Sequence, residues 1–187
     1  MTDTEATRWQ VREQSIALPD AAVNRHSRLS VAHVQLPDGT EFEQVVLRVD
    51  PAAMCVLVND RREALMMRRH RFISDLWVWE LPGGYLNQGE TPAHAALREA
   101  VEETGWRPAR VEHLVSFQPM TGTADALNHV YLGLDPTPVD GAALDVNEGQ
   151  AVRWVPLADV PAMVGGMTLG AASVIGLLAA RERLGAL

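Results

Sequence analysis

The chain has 187 residues, long enough for a sizeable core, and its 24 acidic against 16 basic residues leave a formal charge of −8 at pH 7. That balance excludes a general nucleic-acid or anionic-membrane surface. A single cysteine, Cys55, excludes an internal disulfide; with a polar start and no apolar stretch longer than residues 169–180, the composition predicts a cytoplasmic protein that spans no membrane.

Taken in order, residues 9–19 alternate enough bulky side chains for a weak strand. Residues 28–35 and 41–49 read as a hairpin around Leu36-Pro37-Asp38-Gly39-Thr40, because Pro-Asp-Gly between alternating apolar residues is a turn signal. Two apolar runs, 53–58 and 63–72, flank Asn59-Asp60-Arg61-Arg62 and read as partner strands of the central sheet. In the second, a period of two places Leu65, Met67, Arg69 and Arg71 on one side and Met66, Arg68 and His70 on the other. The arginines there are either a charged strand end or phosphate contacts, for which the guanidinium fork is suited. Trp77, Trp79 and Glu80 then lead into Leu81-Pro82-Gly83-Gly84, a corner that lets backbone approach a ligand or metal.

A helix is predicted over 92–104: Thr91 serves as N-cap, Pro92 fits the first helical position, and Gly105 supplies the left-handed stop. At 100° per residue Arg98, Glu99, Glu102 and Glu103 gather on one side, with Ala96, Leu97, Ala100, Val101 and Thr104 largely across from it. Like charges this close destabilise a helix by a few tenths of a kcal/mol per pair, about 0.2–0.5, so a cationic partner is expected. Such a face is either a solvated acidic surface or a site for a hard divalent cation that also grips phosphate.

The spacing of Gly84, Glu90, Arg98, Glu99, Glu102, Glu103 and Gly105 resembles the Nudix box, G-x5-E-x7-R-E-U-x-E-E-x-G-U, at every fixed position; the two U positions, Ala100 and Trp106, are not the usual Ile, Leu or Val. Together with Arg69-His70-Arg71-Phe72 and Trp79-Glu80-Leu81-Pro82-Gly83-Gly84, it looks like the ADP-ribose pyrophosphatase branch of the Nudix hydrolases. That resemblance implies an α/β (α+β) Nudix fold, a mixed β-sheet sandwiched between α-helices, with an N-terminal β-hairpin extension. The extension is expected over 1–50, serving dimerisation and substrate binding, and the Nudix domain over 51–187. The implied cofactor is Mg²⁺, or Mn²⁺, held by Glu99, Glu102, Glu103 and the Gly83 carbonyl. The implied reaction is cleavage of the pyrophosphate in a nucleoside diphosphate linked to another group. ADP-ribose is the favoured substrate, with other nucleotide sugars, dinucleotides or a pathway-specific nucleotide as alternatives, and a homodimer is expected. A nucleotide-sensing module without catalysis is disfavoured because all three carboxylates are kept.

Downstream, 110–117 and 128–134 read as strands, with 118–125 as a loop over the substrate that contains Pro119, in the place of the branch's marker proline, and Asp125 as its acidic residue. Catalysis is expected from Glu102, Glu103, Glu148 and Arg98, the base being Glu148, with Asp145 second, or one of the box glutamates. Substrate contacts are expected at Arg69, Arg71, Trp79, Glu80 and Pro119. A strand at 151–155, a short helix at 156–164 broken by Gly165-Gly166, and a covering helix at 168–184 stopped by Gly185 complete the chain. The scattered histidines form no zinc pattern and no phosphate-binding glycine loop is present.

Overall fold

The computed structural model describes residues 10–16, 25–140, 151–166 and 169–185. In chain order the strands are β1 (Gln10–Ile16), β2 (Ser27–Gln35), β3 (Glu41–Val49), β4 (Ala52–Val58), β5 (Glu63–Arg71), β6 (Leu76–Glu80) and β7 (Gly83–Tyr85). After helix α1 (Pro92–Thr104) come β8 (Trp106–Arg107), β9 (Arg110–Phe117), β10 (Ala124–Asp125), β11 (Asn128–Leu134), β12 (Thr137–Pro138) and β13 (Ala151–Pro156), then helices α2 (Val160–Gly166) and α3 (Ala171–Leu184).

Contacts divide the chain into two units, one comprising Met1–Asp50 with Met120–Ala126 and the other Pro51–Pro119 with Leu127–Leu187. The first is built on the predicted hairpin: Gly39 takes φ 88°, Asp38 caps the Thr40 N–H at 2.9 Å, and β2 pairs β3 in continuous register from Ser27↔Val49 to Gln35↔Glu41. Alternation on β2 buries Ser30, Ala32 and Val34. The segment 118–125, read from sequence as a plain loop, instead carries β10, which adds to the far edge of β3 in parallel and places Asp125 2.8 Å from Arg48. Two residues are too few to display a strand's periodicity, so the sequence held no signal for that pairing.

In the second unit seven strands form a mixed sheet in the order β13-β5-β4-β11-β9, with β6 on β5 and β7 on β4. Strand β11 runs parallel to β4; the other pairs are antiparallel. The predicted partnership of β4 and β5 holds only beside their turn, at Val58↔Ala64. Beyond it they separate, and β6 and β7, joined by Leu81-Pro82, fill the opening, with the Cys55 N–H donating to the Pro82 carbonyl at 2.9 Å. Backbone groups buried in the sheet need partners, and the separated strands find theirs on this inserted pair.

Both faces of the sheet are covered, so β4 reads as a nearly continuous apolar run. Ala53, Cys55 and Leu57 pack with Ala95, Ala96 and Ala100 of α1, while Val56 and Val58 pack with Val160, Met163, Leu177 and Ala180. Burial pushes the Cys55 thiol up from 9.0 to about 12, which makes it a packing residue and not a nucleophile. Helix α3 approaches the sheet closely at Gly176, where a Cβ would come within 2.7 Å of Leu81 Cδ1 and 3.0 Å of Val130 Cγ1. The helix begins at Ala171, later than expected, with Gly170 extended at its N-cap and no side-chain cap; its Ser173 hydroxyl instead accepts the Leu81 N–H at 3.0 Å. Helix α2 continues through Gly165-Gly166, where a break was expected, after a 3-10 turn at Leu157–Asp159. None of the described helices is long and apolar enough to cross a membrane.

Candidate active site

Helix α1 has the bounds that its sequence signals set. The Thr91 hydroxyl accepts the His94 N–H at 3.3 Å, Pro92 opens the helix, and Gly105 at φ 72° ends it by donating to the Val101 carbonyl at 2.9 Å. One side chain departs from the expected division into an acidic and a packing side. Glu103 is buried, its side chain only 3% exposed, among Ala96, Ala100 and Thr104. The reason is helical geometry: Glu103 is one heptad after Ala96, so it lies about 20° from the middle of the packed side.

Two arginines answer the charge that the sequence left unbalanced. Arg98 grips Glu90 in a two-pronged pair, Nε to Oε1 at 2.9 Å and Nη2 to Oε2 at 3.0 Å. The same guanidinium donates to Glu99 Oε1 at 2.6 Å, to Glu102 Oε2 at 2.9 Å and to the Tyr85 carbonyl at 3.1 Å. Glu90 also accepts the Asn87 N–H at 2.9 Å, and the Arg98 bonds, supported by that N–H, hold its carboxyl below the ordinary range; the Glu90 bonds in turn raise Arg98 further. The second arginine is Arg69. Its Nη2 lies 2.5 Å from Glu103 Oε1, while the Gly83 N–H donates to Glu103 Oε2 at 2.7 Å.

Gly83 and Gly84 are small because the site is crowded. A Cβ on Gly84 would fall 2.5 Å from Glu99 Oε1, and one on Gly83 would fall 2.6 Å from Met54 Cγ and 2.7 Å from the Ala53 carbonyl. Arg71 and Glu80, both expected at the substrate, pair with one another, Nη2 to Oε2 at 2.7 Å. Antiparallel register puts Arg69, Arg71, Val78 and Glu80 on one face of β5 and β6. Trp79 therefore points to the opposite face, under the Arg153 guanidinium at 4.2 Å, and is not gathered with the carboxylates. Pro119 is exposed in the turn after β9. Glu148 and Asp145 fall outside the described residues.

Sequence reasoning missed the Gly83 N–H and the Tyr85 carbonyl as partners, since neither depends on a side chain. It also missed that Arg69 faces Glu103. The signal was present: Arg69 shares its face of β5 with the buried Leu65 and Met67, beneath the helix.

The donor set fits a hard divalent ion. Glu99, Glu102 and Glu103 supply only carboxylate oxygen, no imidazole or thiolate is among them, and the guanidinium groups show that cations are drawn there. Among the described residues no three acidic, histidine or cysteine groups already form a metal cage. A Mg²⁺ ion that keeps several waters and binds through few carboxylates does not require one.

Comparison with known proteins agrees with this geometry. The family model for the NUDIX domain matches residues 48–175. A CMP-5'-(N-acetyl-N-hydroxy-3-aminopropyl)phosphonate hydrolase from Streptomyces rubellomurinus is 45% identical over 157 residues, covering 83% of this chain and 76% of that one. An ADP-ribose pyrophosphatase from Bacillus subtilis is 28% identical over 155 residues, covering 82% and 84%. The solved crystal structure of an ADP compounds hydrolase superposes with a TM-score of 0.80 at 17% identity, covering 96% of this chain and 95% of that one, a likeness of fold. Box spacing, helix-on-sheet architecture and relatives over most of its length coincide in one conclusion: the chain belongs to the Nudix family and is a hydrolase of the nucleoside diphosphate-linked type, near the ADP-ribose pyrophosphatase branch.

Proposed function

We propose that the chain cleaves the pyrophosphate bond of a nucleotide joined to a second group, using Mg²⁺, with Mn²⁺ as substitute, held by Glu99, Glu102, Glu103 and the Gly83 carbonyl. The observation that carries this reading is the gathering of Glu90, Glu99 and Glu102 on Arg98, beside a buried Glu103 tied to the Gly83 N–H. When bound, the divalent cation neutralises diphosphate charge and favours attack by water.

The chain's own groups do the rest. Arg98 keeps Glu99 and Glu102 turned toward one another, and its grip on Glu90 keeps the guanidinium from rotating away. Gly83 and Gly84 bring backbone within reach of the carboxylates without a side chain between. Glu148, with Asp145 second, is the base that takes the proton from water, and Arg71, Glu80 and Pro119 bound the substrate.

For the substrate, the 45% identical relative favours a CMP-linked phosphonate or similar nucleoside monophosphate anhydride, and ADP-ribose, implied by the Arg-x-Arg-Phe and Trp-Glu-Leu-Pro-Gly-Gly motifs, is the second reading. The enzyme acts in the cytoplasm as a homodimer, with the 1–50 extension serving dimerisation and substrate binding. The test is a panel of ADP-ribose, nucleotide sugars, dinucleotides and CMP-linked phosphonates incubated with Mg²⁺, products resolved by mass. A nucleoside monophosphate released from one class with at least tenfold higher kcat/KM supports the reading, and intact compounds throughout refute it.

A further inference from the structure

We propose that Arg69 is a cation placeholder: its guanidinium neutralises Glu103 in the metal-free enzyme and gives up that carboxylate oxygen when a divalent ion binds. The inference rests on the metal-dependent reading above and adds a residue outside the Nudix box to its machinery.

Glu103 is too buried to stay charged without a partner, and an unpaired buried carboxylate is costly. Its Oε2 is taken by the Gly83 N–H, a backbone donor that β7 fixes in place by pairing with β4. Its Oε1 faces Arg69 at 2.5 Å, on a side chain that can rotate. A divalent ion taking a Glu103 oxygen would compete with the guanidinium already there, and two cations close together in a partly buried setting repel. One of them must leave, and the ion, by P–O charge neutralisation, is the one the reaction needs.

Position allows the departure. Along β5, Met67 is fully buried, Arg69 is partly buried, and Arg68, His70 and Arg71 are exposed, so the guanidinium lies at the boundary between core and solvent. Released, it stays on the face that carries Arg71, where a guanidinium fork suits a phosphate. Arg98 is held by its two-pronged bond to Glu90 and its bond to the Tyr85 carbonyl whatever Glu99 and Glu102 do. Among the described residues Arg69 is the cation set against the buried Glu103, and so the one whose place an arriving ion contests.

The experiment measures Mn²⁺ affinity by electron paramagnetic resonance, and melting temperature in chelator and in saturating Mn²⁺, for the wild type, Arg69→Ala, Arg69→Gln and Arg69→Lys. The placeholder account expects Arg69→Ala and Arg69→Gln to melt lower than wild type in chelator. Both should bind Mn²⁺ about tenfold more tightly, and so gain more from it in melting temperature. Arg69→Lys, which keeps the charge, should stay near wild type in affinity. If Arg69→Ala does not fold, the comparison of Arg69→Gln with Arg69→Lys decides. Mn²⁺ affinity unchanged or weakened by removal of the charge overturns the inference alone, and a wild type that binds no Mn²⁺ overturns the proposed function as well.

Discussion

Three glutamates within five residues differ in what surrounds them, and that difference separates their mutational signatures. Glu103 is buried against Arg69 and the Gly83 N–H, whereas the Glu102 side chain is 58% exposed. From the sequence alone Glu103→Gln is expected to fold normally and lose turnover. The ion pair changes that expectation: the amide removes the charge that Glu103 sets against Arg69, which costs about 2 kcal/mol after allowing for its route to solvent, or roughly 4–8 °C of melting temperature. Glu102→Gln lowers turnover with no measurable loss of stability. Thermal melting of the two variants beside steady-state kinetics checks the contrast. At Gly84 the added methyl of Gly84→Ala would collide with the Glu99 carboxylate, so kcat is expected to fall at least tenfold. The spacing of Gly84, Glu90, Arg98 and the three glutamates was readable in the sequence because a helix converts spacing into position. Heptad spacing to Ala96 also marked Glu103 as lying toward the packed side, and alternation put Arg69 on the face of Leu65 and Met67; that the two meet, 34 residues apart, was not readable, because strand-to-helix contact depends on how β5 is placed in the sheet.

Elements differ in how locally they are specified. Helix α1 is set by its own residues, and removing its cap with Thr91→Ala should cost about 1 kcal/mol, or 2–4 °C, measurable by thermal or chemical unfolding. Its activity should fall less than its stability, since the Thr91 hydroxyl serves the helix end through the His94 N–H. Hairpin β2–β3 was equally legible, because Pro37-Asp38-Gly39 fixes the turn and the turn fixes the register. The opening between β4 and β5 was not. Alternation tells which face a residue occupies but not which strand lies beside it, so the insertion of β6 and β7 had no local signature. Helix α3 began later than expected for a related reason: Gly170 offers no capping side chain, and the start is set by Ser173 reaching Leu81 of the sheet.

For the whole molecule, pH links the carboxylate cluster to folding. Arg98 depresses the Glu90 carboxyl below its ordinary value of 4.5, so the folded state holds its proton less tightly than the unfolded chain does. The stabilisation from this pair is complete above that ordinary value and is lost as pH falls through the lower folded one. Glu90→Gln should therefore flatten the acid-side decline in melting temperature below about pH 4.5 while leaving its slope near neutrality unchanged. The net charge of −8 means that attraction of an anionic substrate depends on local cations, the part that the proposed reading gives to a divalent ion and the arginines. The most direct test of the central claim follows hydrolysis of CMP-linked phosphonate and ADP-ribose by phosphorus NMR, with Mg²⁺ or chelator, for wild type and Glu103→Gln. The account predicts cleavage at the P–O–P anhydride by the wild type with Mg²⁺ and, in chelator or with the variant, rates lower by orders of magnitude; equal rates under all these conditions would contradict it.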